Sequence, residues 1–164
     1  MVFCFILCAG LVFCPKSWYT FHRIPLKGVF SMLTEDKLLA RVNQPDVFNG
    51  ASGITILSAR PDGSAEGVLN VTQSSHNPHG TVHGGCLYTL ADTVAGCAVA
   101  AACNKPCVTA NSSMEFLRPA TGATVLCTAR AKKLGRTLNV MAVELVGHDG
   151  KVVATGTFTF AVVG

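Results

Sequence analysis

The stretch that most constrains this chain runs from His83-Gly84-Gly85-Cys86 through Leu90-Ala91-Asp92 to Ala100-Ala101-Ala102. From Cys86 onward it holds no proline and is rich in alanine and leucine, which predicts a helix of about five turns. It is apolar on almost every face, so the expected setting is the inside of a domain rather than its surface. Asp92 is the one charge, and no Lys, Arg or His lies within four positions of it. A buried carboxylate without a partner is costly, so Asp92 calls for hydrogen-bond donors or a chemical task. The two glycines that open the helix leave its first N–H groups approachable, at the positive end of the helix dipole. A carboxylate and an electrophilic pocket on one element point toward an enzyme.

The 164 residues suit one domain, and 49% apolar content is ample for its core. Only 13% of residues are charged, against about 25% in ordinary soluble domains, which predicts surface buried in an oligomer or a membrane-directed segment. Residues 1–31 carry Lys16, Arg23 and Lys27 and no acid, whereas residues 32–164 balance ten Lys and Arg against nine Asp and Glu. A nearly neutral body gives no support for nucleic-acid binding. Five cysteines in the body, Cys86, Cys97, Cys103, Cys107 and Cys127, are an odd set lying mostly in or beside the apolar helix. They read as reduced, buried thiols, and the expected location is the cytoplasm.

Val2–Cys14 is an apolar run too short to span a bilayer comfortably. No Lys or Arg precedes it and no small-x-small cleavage site follows, so a signal peptide fits poorly. Met32-Leu33-Thr34-Glu35-Asp36-Lys37 looks like an ordinary start, with a Thr N-cap and acids in the first turn. The expectation is a leader over 1–31, from an upstream mis-assigned start before a signal or an anchor, and one domain over 32–164.

A short helix over 34–44 should stop at Pro45. Strands are expected at 54–60 and 65–72 about the Pro61-Asp62-Gly63-Ser64 turn, with a polar loop to Val82. After the helix, Asn104-Lys105-Pro106 breaks the chain, and four strand-like segments follow over 107–117, 123–133, 137–147 and 151–162. Two strands, a buried helix and four strands in meander predict an α+β domain, an antiparallel sheet wrapped around the helix.

Several features at fixed spacing then carry a resemblance. Asn77 stands six residues before His83-Gly84-Gly85, and Leu90-Ala91-Asp92 ends nine residues after that histidine. Phe116-Leu117-Arg118-Pro119-Ala120 follows the next strand, and Gly135-Arg136-Thr137 marks a later turn. From about Met32 to the C-terminus the chain resembles the hotdog-fold acyl-CoA thioesterases, in the branch of the phenylacetate-pathway thioesterase and mammalian thioesterase superfamily member 2.

The resemblance implies hydrolysis of an acyl-CoA or aryl-CoA to free acid and CoA, with no cofactor. It implies an oxyanion donor at the Gly84 N–H with the Asn77 and His83 side chains nearby, and Asp92 as base on a water or as direct nucleophile. It also implies a site completed across a homodimer, with the dimers paired again into a tetramer. Geometry agrees, since eight residues of helix separate Gly84 from Asp92 by about 12 Å, too far for both to reach one carbonyl. Thr109 falls where mammalian relatives place a water-holding serine, and it equally suits a strand threonine satisfied by its neighbours. Arg118, Lys133 and Arg136 would meet the CoA phosphates, or stand as solvated charges at strand ends.

His83 also suits a loop histidine capping the helix. His76, His79, His83 and Cys86 are all possible zinc ligands, but their spacing matches no usual zinc module, so no metal is expected. Cys86 beside His83 is the one candidate thiol nucleophile, ranked below Asp92. The His-plus-acid pattern of hotdog hydratases is missing. A non-catalytic acyl-CoA-binding or sensor domain is the alternative, and it would need no carboxylate beside a thioester. Ala95, Gly96 and Ala98 would leave room for a sizeable acyl group.

Overall fold

Why the chain folds around one helix is clearest in the burial along it. The computed structural model describes residues 34–163; the apolar run Val2–Cys14 and the expected start at Met32 lie outside the described residues. The long helix, α3, spans Gly84–Cys103 after two short ones, α1 (Glu35–Val42) and α2 (Phe48–Ala51). Leu87, Leu90, Ala91, Val94, Ala95 and Ala98 are all buried, the i, i+3, i+4 stripe that faces a sheet. Each of the larger side chains gains about 1.5–3 kcal/mol by leaving water. Gly84, Tyr88, Asp92 and Gly96 form a second stripe that is not buried in the single chain. The expectation of a helix enclosed on almost every face is corrected on that side.

Asn104, in the left-handed conformation at φ 48°, ends α3. Although α3 is long and apolar enough to cross a membrane, it packs against all six strands of the domain.

The strands are β1 (Ile54–Ala59), β2 (Ser64–Asn70), β3 (Cys107–Phe116), β4 (Thr124–Lys133), β5 (Leu138–Gly147) and β6 (Val152–Val162). Their inward positions alternate, as with Val125, Cys127 and Ala129 in β4 and Met141, Val143 and Leu145 in β5. All pairings are antiparallel, in the order β1-β2-β4-β5-β6-β3. Only β4, β5 and β6 form a meander. The chain leaves α3 on the far side of the sheet, so β3 pairs with β6, and the segment through Pro119 and Gly122 returns to set β4 beside β2. The expected meander of four strands is corrected accordingly.

The ends of the sheet differ. At β1, the Asn43 side chain accepts from Ile56 N–H at 2.8 Å and donates to Ile56 C=O at 2.9 Å, while Glu35 accepts from Ala59 N–H at 2.9 Å. Helix α1 thereby occupies that edge with side chains. At β3, nothing among the described residues covers the outer edge, and the strand is exposed along most of its length. Thr34 takes the cap position of α1 with extended backbone but makes no side-chain cap bond, unlike the expected N-cap. The single turn of α2 falls where no element was expected.

Candidate active site

Strand β3 runs along the unburied stripe of α3, antiparallel to it. Thr109 Oγ1 donates to Asp92 Oδ1 at 2.7 Å. One helical turn earlier, the Tyr88 and Ser112 hydroxyls share a hydrogen bond. One turn earlier still, a Cβ on Gly84 would lie 3.6 Å from the Phe116 ring. At the other end, Cys107 Sγ donates to Gly96 C=O at 3.5 Å. Four contacts therefore follow the helix at Gly84, Tyr88, Asp92 and Gly96.

A bulge at Ala110 makes this possible. Thr109 pairs with Phe160 and Asn111 with Thr159, so Ala110 is unpaired and the side chains beyond it change face. Without it, Ser112 and Phe116 would turn away from the helix whenever Thr109 turned toward it.

Asp92 is half-buried, not enclosed, and Thr109 supplies the partner its local sequence lacks. Both line a cleft of about 450 Å³ together with Asn49, Gly96, Cys107 and Phe160. Thr93 Oγ1 donates to Asn49 Oδ1 at 3.2 Å, which ties α2 to α3 at the rim. Of the three small residues expected to leave room for an acyl group, Gly96 faces the cleft, while Ala95 and Ala98 are fully buried in the core.

Two thiols of this cleft are held neutral. Burial first, then the neighbouring Cys107, pushes Cys97 up to about 12. Burial, then Cys103 and the Asp92 carboxylate, pushes Cys107 up to about 11.

Gly84 opens into a separate cleft shared with Asn77, Phe116 and Arg118. Its N–H has no acceptor among the described residues. The Asn77 side chain orders its own loop: Oδ1 accepts from His79 N–H at 2.9 Å and Thr81 N–H at 3.2 Å, and Nδ2 donates to Thr81 Oγ1 at 2.8 Å. His83 is the N-cap of α3, its Nδ1 accepting from Gly85 N–H at 2.9 Å. The capping role is thus realised, and the ring turns into a third cleft with His76 and Cys86. Burial raises the Cys86 thiol above its ordinary 9.0, which disfavours the thiolate a nucleophile needs. Among the described residues, no three His, Cys, Asp or Glu side chains are grouped as metal ligands.

The three expected phosphate contacts do not meet within one chain. Arg118 lines the Gly84 cleft, at the start of α3. Lys133 ends β4 and Arg136 lies in the β4–β5 turn, which Asn139 binds to the other end of α3 by accepting from Gly135 N–H at 2.9 Å and Cys103 Sγ at 3.7 Å. Asp92 with Thr109 and Asn77 with Gly84 are brought together as pairs; the pairs themselves occupy different clefts. Nothing local in the sequence marks Tyr88, Ser112 or the Ala110 bulge, although Tyr88 stands four residues before Asp92 on the same helix face.

Residues 79–154 match the thioesterase superfamily. The chain is 38% identical over 108 residues to the acyl-coenzyme A thioesterase PaaI of Escherichia coli (strain K12), spanning 63% of this chain and 74% of that one. The chain belongs to the thioesterase superfamily. Human acyl-coenzyme A thioesterase 13 is 32% identical over 111 residues, 65% of this chain and 77% of its own length. The solved E. coli PaaI structure superposes with a TM-score of 0.70 at 27% identity, covering 82% of this chain and 97% of that one. A hypothetical thioesterase protein from Streptococcus pneumoniae TIGR4, solved with coenzyme A, gives 0.65 at 31% identity, over 71% and 93% of the two chains. The sheet and central helix of this superfamily member are the hotdog fold.

Proposed function

We propose that this superfamily member hydrolyses acyl-CoA thioesters to free acid and CoA, at sites completed between two copies of the chain. The observation that carries it is the Asp92 carboxylate, held by Thr109 in an open cleft on the same helix stripe as the unpartnered Gly84 N–H. That N–H would receive the carbonyl oxygen as negative charge develops on it. Asp92 then takes a proton from a water that attacks the carbonyl carbon, and collapse of the oxyanion expels the CoA thiolate, which is protonated. The alternative route is attack by the carboxylate itself, forming an anhydride that water hydrolyses. The relatives named as acyl-coenzyme A thioesterases and the relative solved with coenzyme A support the substrate class.

Two arguments support the pairing. Gly84 and Asp92 lie about 12 Å apart along α3 and open into different clefts, so one copy offers each thioester half a site. The uncovered edge of β3 carries exposed Val108 and Phe116 and suits edge-to-edge pairing with a second β3. A two-fold axis that runs the two α3 helices antiparallel would also carry the Lys133–Arg136 turn of one copy toward Arg118 of the other. His83 would act by fixing the helix start, and Asn77 by shaping the loop beside it. Pairing of dimers into a tetramer, a domain over 32–164 and a cytoplasmic location belong to the same reading, the last in keeping with five free thiols among the described residues.

Thiol release measured across a panel of acyl-CoAs tests it, with Asp92→Asn as the control. The variant should bind acyl-CoA yet lose about 100-fold or more in kcat. Saturable binding without thiol release by the wild-type chain would favour the acyl-CoA-binding alternative. Deleting residues 1–31 should leave kcat unchanged.

A further inference from the structure

We infer that Tyr88 is a positioning residue for Asp92: by bonding Ser112 beyond the Ala110 bulge, its hydroxyl fixes the register of β3 that puts Thr109 on the carboxylate. For catalysis this rests on the role proposed for Asp92.

Strand β3 needs such a fixing point. Within one chain it pairs with β6 on one side only, and its ladder is interrupted at Ala110, the residue after Thr109. At a bulge the ladder is locally disrupted and the strand is free to bend and twist. The two hydroxyl bonds bracket that break, Thr109 to Asp92 on one side and Ser112 to Tyr88 on the other.

Their spacing matches on both elements. Tyr88 and Asp92 are four residues apart, a rise of about 6 Å on the helix. Thr109 and Ser112 are three apart, but the bulge removes one step, leaving two strand steps of about 3.3 Å each. The helix turn and the bulged strand segment therefore agree to within about 1 Å. Shifting β3 by one residue would break both bonds together.

The tyrosine is braced for this task. Its ring meets Phe158 edge-on with centroids 5.3 Å apart, and Phe158 stacks with Phe160 at 6.4 Å. Phe158 is fully buried, and Phe160 is the cross-strand partner of Thr109. One aromatic row thus supports both hydroxyl bonds, and the Tyr88 hydroxyl is delivered at a fixed height above the core.

Tyr88→Phe keeps the ring and its edge contact while removing the hydroxyl. In the full chain, kcat should fall about tenfold with KM within about twofold of wild type. In a Thr109→Val background the same substitution should cost almost nothing further, because the bond it protects is already gone. Ser112→Ala should reproduce the loss, and Ser112→Thr, which restores a hydroxyl, should recover most of it. Wild-type kcat in Tyr88→Phe overturns the inference. So do equal losses in both backgrounds, or a raised KM at constant kcat, which would make Tyr88 a substrate contact. Amide hydrogen exchange separates this from failure of the catalytic reading: if Asp92→Asn stays active, faster exchange across 107–116 in Tyr88→Phe still supports the positioning role, and unchanged exchange removes it.

Discussion

Thr109 Oγ1 reaches Asp92 Oδ1 at 2.7 Å, joining an edge strand to the middle of the core helix. A hydroxyl that donates to one carboxylate oxygen fixes the rotation of the group and leaves its other oxygen for chemistry. Thr109→Val preserves shape and removes that donor. We expect kcat to fall about tenfold, the cost of one hydrogen bond to a charged group, while Thr109→Ser stays within about threefold of wild type. Steady-state kinetics on one acyl-CoA checks both.

The Gly84 N–H can be removed without breaking its helix. Gly84 is the first helical residue, where proline is tolerated, and His83 at φ −63°, ψ 135° already has the extended backbone that precedes proline. A Cβ at Gly84 would lie 3.6 Å from Phe116, an ordinary contact. Gly84→Pro should therefore fold and be inactive. Mixed with inactive Asp92→Asn chains under conditions of subunit exchange, it should recover about a quarter of wild-type activity, since half the dimers are hybrids with one intact site of two. Exchange without recovery would refute the shared site.

Placing a charge on the open strand should undo the pairing. Val108 is 52% exposed in the single chain, so Val108→Lys should fold, yet a lysine there opposes edge-to-edge association. Light scattering should show a smaller particle than wild type, with activity lost in parallel. An unchanged mass would place the interface elsewhere.

How much of this could be read from the residues varies with how local the determinant is. Helix α3 and its carboxylate were legible because a long run without proline announces itself, and Gly84 because glycines open it. Thr109 came from resemblance alone. The place of β3 beyond β6 was not legible, since nothing in Cys107–Phe116 specifies a partner strand distant in sequence. The Ala110 bulge left no mark either, having no glycine or proline beside it. Glu35 and Asn43 looked like ordinary helix-end residues, and only the folded chain shows them bonded to the edge of β1.

Alkaline stability should follow the buried thiols. Burial pushes Cys97 and Cys127 from 9.0 up to about 12, so each contributes stability in full below pH 9 that is lost as pH rises toward 12. The folded state holds protons that the unfolded chain releases. Tm should thus decline above pH 9, and Cys127→Ala, although less stable at pH 7 through its small cavity, should show a shallower decline. Thermal melts from pH 7 to 10.5 on both proteins give the comparison; parallel curves would mean that other groups govern the fall.

The side-chain plug on β1 has a consequence for how far association can proceed. With one end of the sheet stopped by Asn43 and Glu35, each chain has a single valence for strand addition. Two copies joined through β3 would use up both valences and present a stopped end at each side. Growth through this contact is self-limiting, giving a counted particle where two open ends per chain would give a fibre. Asn43 and Glu35 are thus chain terminators as much as helix-end residues, and replacing both with side chains that cannot bond β1 would reopen the route to polymer.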